Sequence, residues 1–238
     1  MNSEELEILI KSCLDDFYKR RAESLSKLQL KRALARKNPY LFKAMGFIKA
    51  NEVVEAMLRA FISSSDETIF GNAFFEPIAK LASRGKVSGA EGVDVEIETE
   101  YCFKAIAVKS GPNIFNASQK ARQNDEFMRL RSRLHKLQKK FDPILGSCYG
   151  RTKSNPNSIR IYRHISGQEF WEEVTGDADF YVKLVILMRD YPVPHRLAFE
   201  KAFGEAVNRF SKEFLAEFCD EHGAIDWVKL VRFNSSKS

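Results

Sequence analysis

Residues 93–98 read VDVEIE, and residues 103–113 read FKAIAVKSGPN. No other feature constrains the fold as much as this pair of segments. The first alternates strictly, with Val93, Val95 and Ile97 against Asp94, Glu96 and Glu98, the period-two pattern of a half-buried strand. The second is apolar from Ala105 to Val108, ends on Lys109 and breaks at once into Ser110-Gly111-Pro112-Asn113. Glycine and proline together end a strand there. Two such strands joined by a short turn predict an antiparallel hairpin, in which opposite residues share a face. Pairing the first strand's apolar set with the branched Ile106 and Val108 leaves two registers. One sets Asp94 opposite Ala107, the other sets it opposite Lys109. In both, Asp94, Glu96, Ala107 and Lys109 share the face away from Val95 and Val108.

Two carboxylates and an ammonium converging at a sheet end suit metal-dependent phosphodiester hydrolysis. Carboxylates hold hard divalent cations, which polarise a phosphate and help deprotonate water. An ammonium orients that water or stabilises the charge that builds on the phosphate. The same pattern also describes a solvated sheet face, where exposed ion pairs contribute roughly 0.2–1 kcal/mol. On spacing alone the solvated face is the better reading.

The flanking sequence is helical. Leu6, Ile10, Cys13, Leu14 and Phe17 recur at helical spacing, and the pattern continues through Leu25, Leu28 and Leu30 until Asn38-Pro39. Lys27, Lys31, Arg32, Arg36 and Lys37 cluster around that stretch. Further helices are predicted over about 50–63 and 67–83, with Ser63 to Asp66 capping the second of these. A basic helix is predicted over 117–140, and others over 168–175, 178–189, 197–220 and 224–231. Strands are predicted over about 144–149 and 159–163. The order is helices, a short mixed sheet, then helices, which predicts an α/β (α+β) core with a helical N-terminal arm (1–37) and a helical C-terminal region (191–234).

Composition narrows the function classes. A formal charge of +6 and a pI of about 9.1 favour an anionic partner. The four cysteines and four histidines lack zinc-ligand spacing, so free thiols in a reducing compartment are expected. No run approaches eighteen apolar residues, and the acidic, amphipathic N-terminus is unlike a signal peptide, so a cytoplasmic protein is expected.

GVDVEIE followed by AVKSGPNIFNASQ resembles the core of PD-(D/E)XK type II restriction endonucleases, nearest to a subgroup with Lys-Ser-Gly-Pro-Asn after the catalytic strand. NPYLF at 38–42, ETIFGNAFFE at 67–76, CYG at 148–150 and SGQEFW at 166–171 extend the likeness over about residues 38–190. The resemblance implies a restriction-endonuclease-like core over those residues. It implies a metal-binding Asp94, a catalytic Lys109, and a supplementary helix acid at Glu76. Pro77 directly after Glu76 fits only a helix start or kink. The departure is Ala107, where the family pattern has Asp or Glu. The missing ligand is then Glu96, or Glu76, or absent from a chain that binds DNA without cutting it; a migrated acid is preferred.

The resemblance further implies Mg²⁺ as cofactor, double-stranded DNA as substrate, a homodimer, no membrane, and a DNA methyltransferase encoded nearby. Phosphate and base contacts are expected from two places. After the lysine stand Ser110, Asn113, Asn116, Ser118, Gln119, Lys120 and Arg122; in the polar segment from 151 stand Arg151, Lys153, Asn155, Asn157, Arg160 and Arg163. The apolar stripes at 6–17 and 197–218 are expected to be core or dimer contacts. Rival readings are another nuclease of the same superfamily, acting in repair, and a catalytically silent DNA-binding module.

Overall fold

The computed structural model describes residues 3–83, 86–111, 116–134, 138–154 and 159–237. Ten helices are named among them: α1 Ser3–Ser26, α2 Leu30–Leu34, α3 Pro39–Ala44, α4 Ala50–Phe70, α5 Glu76–Ala82, α6 Ala117–Leu134, α7 Gln168–Thr175, α8 Phe180–Met188, α9 Pro192–Phe218 and α10 Trp227–Ser235. Five strands, β1 Lys86–Val87, β2 Val95–Glu98, β3 Cys102–Lys109, β4 Lys140–Ser147 and β5 Arg163–Ser166, form one sheet in sequential order. β1, β2 and β3 are antiparallel, whereas β3, β4 and β5 run parallel. The fold is thus mixed α/β, a short mixed sheet flanked by helices.

The chain divides into a sheet unit, Met1–Phe17 with Phe70–Tyr191, and a helical unit, Tyr18–Ile69 with Pro192–Ser238. These interleave along the chain instead of following one another as three segments. The division passes through α1, whose Leu6, Ile10, Cys13 and Leu14 join the sheet unit's core while Leu25 joins the helical unit's. The rings of Phe17 and Phe70 meet edge to face at 5.1 Å.

In the sheet unit, one face packs Val95, Ile106, Val108 and Ile144 against Ile10, Phe74, Ile78, Phe170 and Trp171 from the helices. On the other, Phe103, Ala105, Ala107 and Leu145 pack against Phe127 and Leu130 of α6. Because β3 is covered on both faces, its sequence reads as an almost unbroken apolar run rather than an alternation. In the helical unit, Val53, Val54, Met57 and Leu58 of α4 pack with Phe199, Phe210, Phe214 and Phe218 of α9. Most of both apolar stripes is therefore core, although Leu197 stays 64% exposed.

Several local expectations are corrected. Val93 packs toward α6 while Val95 and Ile97 pack on the opposite face, because β2 starts only at Val95, after a turn at Gly92. α4 does not stop at Ser63–Asp66: the Ser65 hydroxyl donates to the carbonyl of Ile62 in its own helix, where it starts no new one. The basic helix is described as far as Leu134, and Lys140, the last residue of its predicted range, already belongs to β4. β5 begins at Arg163, past the predicted 159–163, because it pairs with β4 from Ile144 onward while Tyr162 turns in to pack on Phe127. Among the described residues, no helix is long and apolar enough to cross a membrane.

Candidate active site

β3, β4 and β5 end in one row, Lys109 beside Ser147 and Ser147 beside Ser166. The carboxyl ends of parallel strands are where open α/β sheets bind ligands, because the chain must turn there and leaves a crevice. Ser110 and Gly111 begin that turn and are buried. A Cβ on Gly111 would lie 2.4 Å from the Tyr149 ring, which would have to move aside to admit a larger residue. The Ser147 hydroxyl donates to the Gly111 carbonyl (3.3 Å) and meets Nε2 of His164 (2.9 Å). This packing holds the turn that follows Lys109 and explains why the strand stops at the ammonium.

The observed hairpin register pairs Val95 with Ile106 and Glu96 with Ala105, the alternative that brings Asp94 beside Ala107. The Asp94 amide donates to the Ile106 carbonyl at 2.9 Å, and Oδ2 accepts from the Val108 amide at 2.7 Å. The loop before it is fixed from α6, where Gln123 donates to the Gly92 carbonyl at 2.7 Å. Gly92 has φ +75°, and a Cβ there would overlap the Glu126 carboxylate. Burial raises the Asp94 carboxyl above its ordinary value, and the Glu76 charge adds to that. The Val108 amide and the ammonium groups of Lys109 and Lys80 pull it back down. Asp94, Lys109, Glu76 and Lys80 therefore share one electrostatic field.

Glu76 reaches that field through an unusual helix. Between α4 and α5, residues Gly71–Phe75 form a π-helical turn in which the Glu76 amide bonds the Gly71 carbonyl five residues back. Pro77 lacks an amide hydrogen and its ring crowds the preceding turn, so an ordinary α-helix would break or kink here. The widened turn absorbs the proline, and such turns recur at functional sites. It presses on the end of β3: a Cβ on Gly71 would stand 3.0 Å from Cβ of Ser110. Oε1 of Glu76 pairs with Lys80 Nζ at 2.5 Å.

Glu96 has a different surrounding. Its carboxylate accepts the Ser88 hydroxyl, and it is not among the charges acting on Asp94. Ala107 is fully buried among Phe127, Leu130 and Leu145, where a methyl group fits the packing. The Cys148 thiol is buried, and both burial and the Asp94 charge push its pKa up, so it stays protonated and is no nucleophile.

Over residues 4–192 the sequence matches the family model of the type II restriction endonuclease EcoO109I. The chain belongs to this family. No curated protein matches it. Membership makes the protein a nuclease of a restriction system, with DNA as the substrate class.

For a restriction endonuclease, the surroundings of the remaining candidates matter. Arg151 and Lys153 are exposed on the rim of a cavity of about 750 Å³ walled by Phe75, Tyr149, Trp171 and Tyr181. Lys120 and Arg160 act on His164, which burial and these two cations keep below its ordinary value. Asn116, Ser118 and Gln119 bond one another: Asn116 Oδ1 accepts the Gln119 amide and Gln119 Oε1 accepts the Asn116 amide, both at 2.9 Å, capping α6. Arg122 bridges Glu91 and Glu126 at 2.9 Å each. Arg163 spends its fork on Asp142 at 3.0 Å and reaches Glu173 at 2.8 Å. Asn113, Asn155 and Asn157 lie outside the described residues. Sequence reasoning missed Lys80 and Gln123. The i,i+4 spacing of Glu76 and Lys80 signalled the first; nothing in the sequence marked the second.

Proposed function

We propose that the protein hydrolyses phosphodiester bonds in both strands of duplex DNA at a short specific sequence, with Mg²⁺ as cofactor. The observation that carries this reading is the shared field of Asp94, Glu76 and Lys109 at the sheet's carboxyl edge, in a chain of a restriction endonuclease family. The residues fit a divalent ion. Asp94 is a half-buried carboxyl within the electrostatic reach of the Glu76 carboxylate, with a backbone amide as its hydrogen-bond partner, and both are hard-oxygen donors. Among the described residues, no group of three or more His, Cys, Asp or Glu is placed to hold a metal ion by itself. Mg²⁺ suits that arrangement, since it keeps several waters and binds through one or two carboxylates plus substrate phosphate.

Asp94 and Glu76 would hold the ion, which polarises the phosphate and acidifies an attacking water. The Val108 amide orients Asp94. Lys109 stabilises negative charge gathering on the phosphate oxygens and orients the water. Lys80 pairs with Glu76 and holds its carboxylate in place. The water oxygen bonds to phosphorus and gives up a proton to solvent, the bond to the 3′ oxygen breaks, and that oxygen takes up a proton from solvent. Arg151, Lys153, Lys120 and Arg160 supply phosphate and base contacts. One such site per chain and two strands to cut favour a two-fold homodimer.

Incubation with phage DNA and Mg²⁺ tests this. Discrete fragments, abolished by Lys109→Ala, are expected; a smear would mean a less specific nuclease. Retardation without cleavage would favour the silent binder, the reading that Ala107 suits.

A further inference from the structure

The chain's excess positive charge is not where the chemistry is. The sheet unit carries 20 Lys and Arg against 20 Asp and Glu. The helical unit carries 18 against 12, which accounts for the whole +6. Its segment Tyr18–Ile69 alone holds 11 against 5. Much of that excess borders a cleft of about 480 Å³ formed by the end of α1, α2 and its flanks, and α4. Lys27, Arg32, Arg36 and Lys37 line it, together with the hydroxyl-bearing Ser24 and Ser64. Lys27 pairs with Glu23, and the neighbouring Lys31, outside the cleft lining, pairs with Glu217. Arg32, Arg36 and Lys37 have no carboxylate partner among the described residues. Cations elsewhere, such as Arg122, Lys104, Lys139 and Arg163, are each tied to an acid.

We infer that this cleft binds the phosphate backbone of duplex DNA outside the base pairs engaged at the Asp94–Lys109 site. The inference rests on the nuclease reading above. Unpaired, exposed like charges held together in the folded state repel one another, and a polyanion relieves that repulsion. A small anion would need an enclosed site with a buried polar group. Here the side chains are mostly exposed and spread from Lys27 to Lys37, which suits a ligand offering several phosphates in series. Arginine and lysine contacts of this kind fix position and affinity without reading sequence.

The test uses the full chain carrying Lys109→Ala, so that DNA stays intact. Binding is measured across a salt series on two duplexes cut from a fragment the active enzyme cleaves: one of about 12 base pairs around the cut and one of about 40. Adding Arg32→Ala, Arg36→Ala and Lys37→Ala together should weaken binding to the long duplex by about 10- to 100-fold near physiological salt, and flatten its salt dependence by roughly two to three released counterions. Binding to the short duplex should hardly change. Arg32→Lys with Arg36→Lys should keep the slope, which separates loss of charge from loss of structure. An unchanged slope on the long duplex, or equal losses on both duplexes, overturns this inference alone. If the Lys109→Ala parent binds neither duplex, both this inference and the nuclease reading fall.

Discussion

The two ends of the parallel strands carry similar residue types arranged to opposite purpose. At the amino end, Lys104, Asp142, Arg163 and Glu173 form a closed network. Lys104 bonds Glu173 at 2.6 Å, and Arg163 bonds both acids within 3.0 Å. Burial works against the Glu173 charge, yet the two cations outweigh it and hold the carboxyl below its ordinary value. At the carboxyl end, Asp94 receives one backbone amide, and burial leaves its carboxyl above the ordinary value. Charges at the amino end satisfy one another, whereas a half-buried acid with a single backbone partner costs stability.

The largest expected effect breaks the carboxyl end. Lys109→Ala should lower cleavage by about 1000-fold, measured as single-turnover rate on plasmid DNA, while the thermal midpoint stays near that of the parent. Glu76→Gln comes next, at about 100-fold, with the loss partly recovered at raised Mg²⁺; an unaffected rate would remove Glu76 from the site. At the amino end, Glu173→Gln leaves Lys104 and Arg163 short of an acid. It should cost about 1–2 kcal/mol of stability in urea unfolding with little change in turnover. Because the Glu173 carboxyl is depressed, its contribution is present above the ordinary glutamate range and is lost as pH falls through its folded value.

Asp94 has the opposite sign. A raised carboxyl contributes stability below its unfolded value and loses it as pH rises through the folded one. Asp94→Asn keeps an acceptor for the Val108 amide and should melt slightly higher than the parent at neutral pH, with the gain fading on acidification. Mg²⁺ should raise the melting temperature of the parent but not of Asp94→Asn. Equal responses in scanning calorimetry would sink the assignment of Asp94 as ligand.

What could be read beforehand followed from period and breakers. VDVEIE and the apolar run before Ser110-Gly111 were enough for the hairpin, and the resemblance singled out Asp94, Lys109 and Glu76. Three things were not legible. Val93 sits in phase with Val95 in the sequence, but the turn at Gly92 rotates it to the other face. The π turn has no sequence signature beyond Pro77 standing where a helix should kink. The sheet unit recruits the first part of α1 across more than fifty intervening residues, a long-range packing choice that local periodicity does not encode.

Phe17 and Phe70 touch where the chain departs from the sheet unit and where it returns. The residues between them are therefore an excursion of the chain that leaves and re-enters the sheet unit at neighbouring points, and Pro192–Ser238 departs from it a second time. Such an excursion can be lengthened or recharged through evolution without rethreading the five strands.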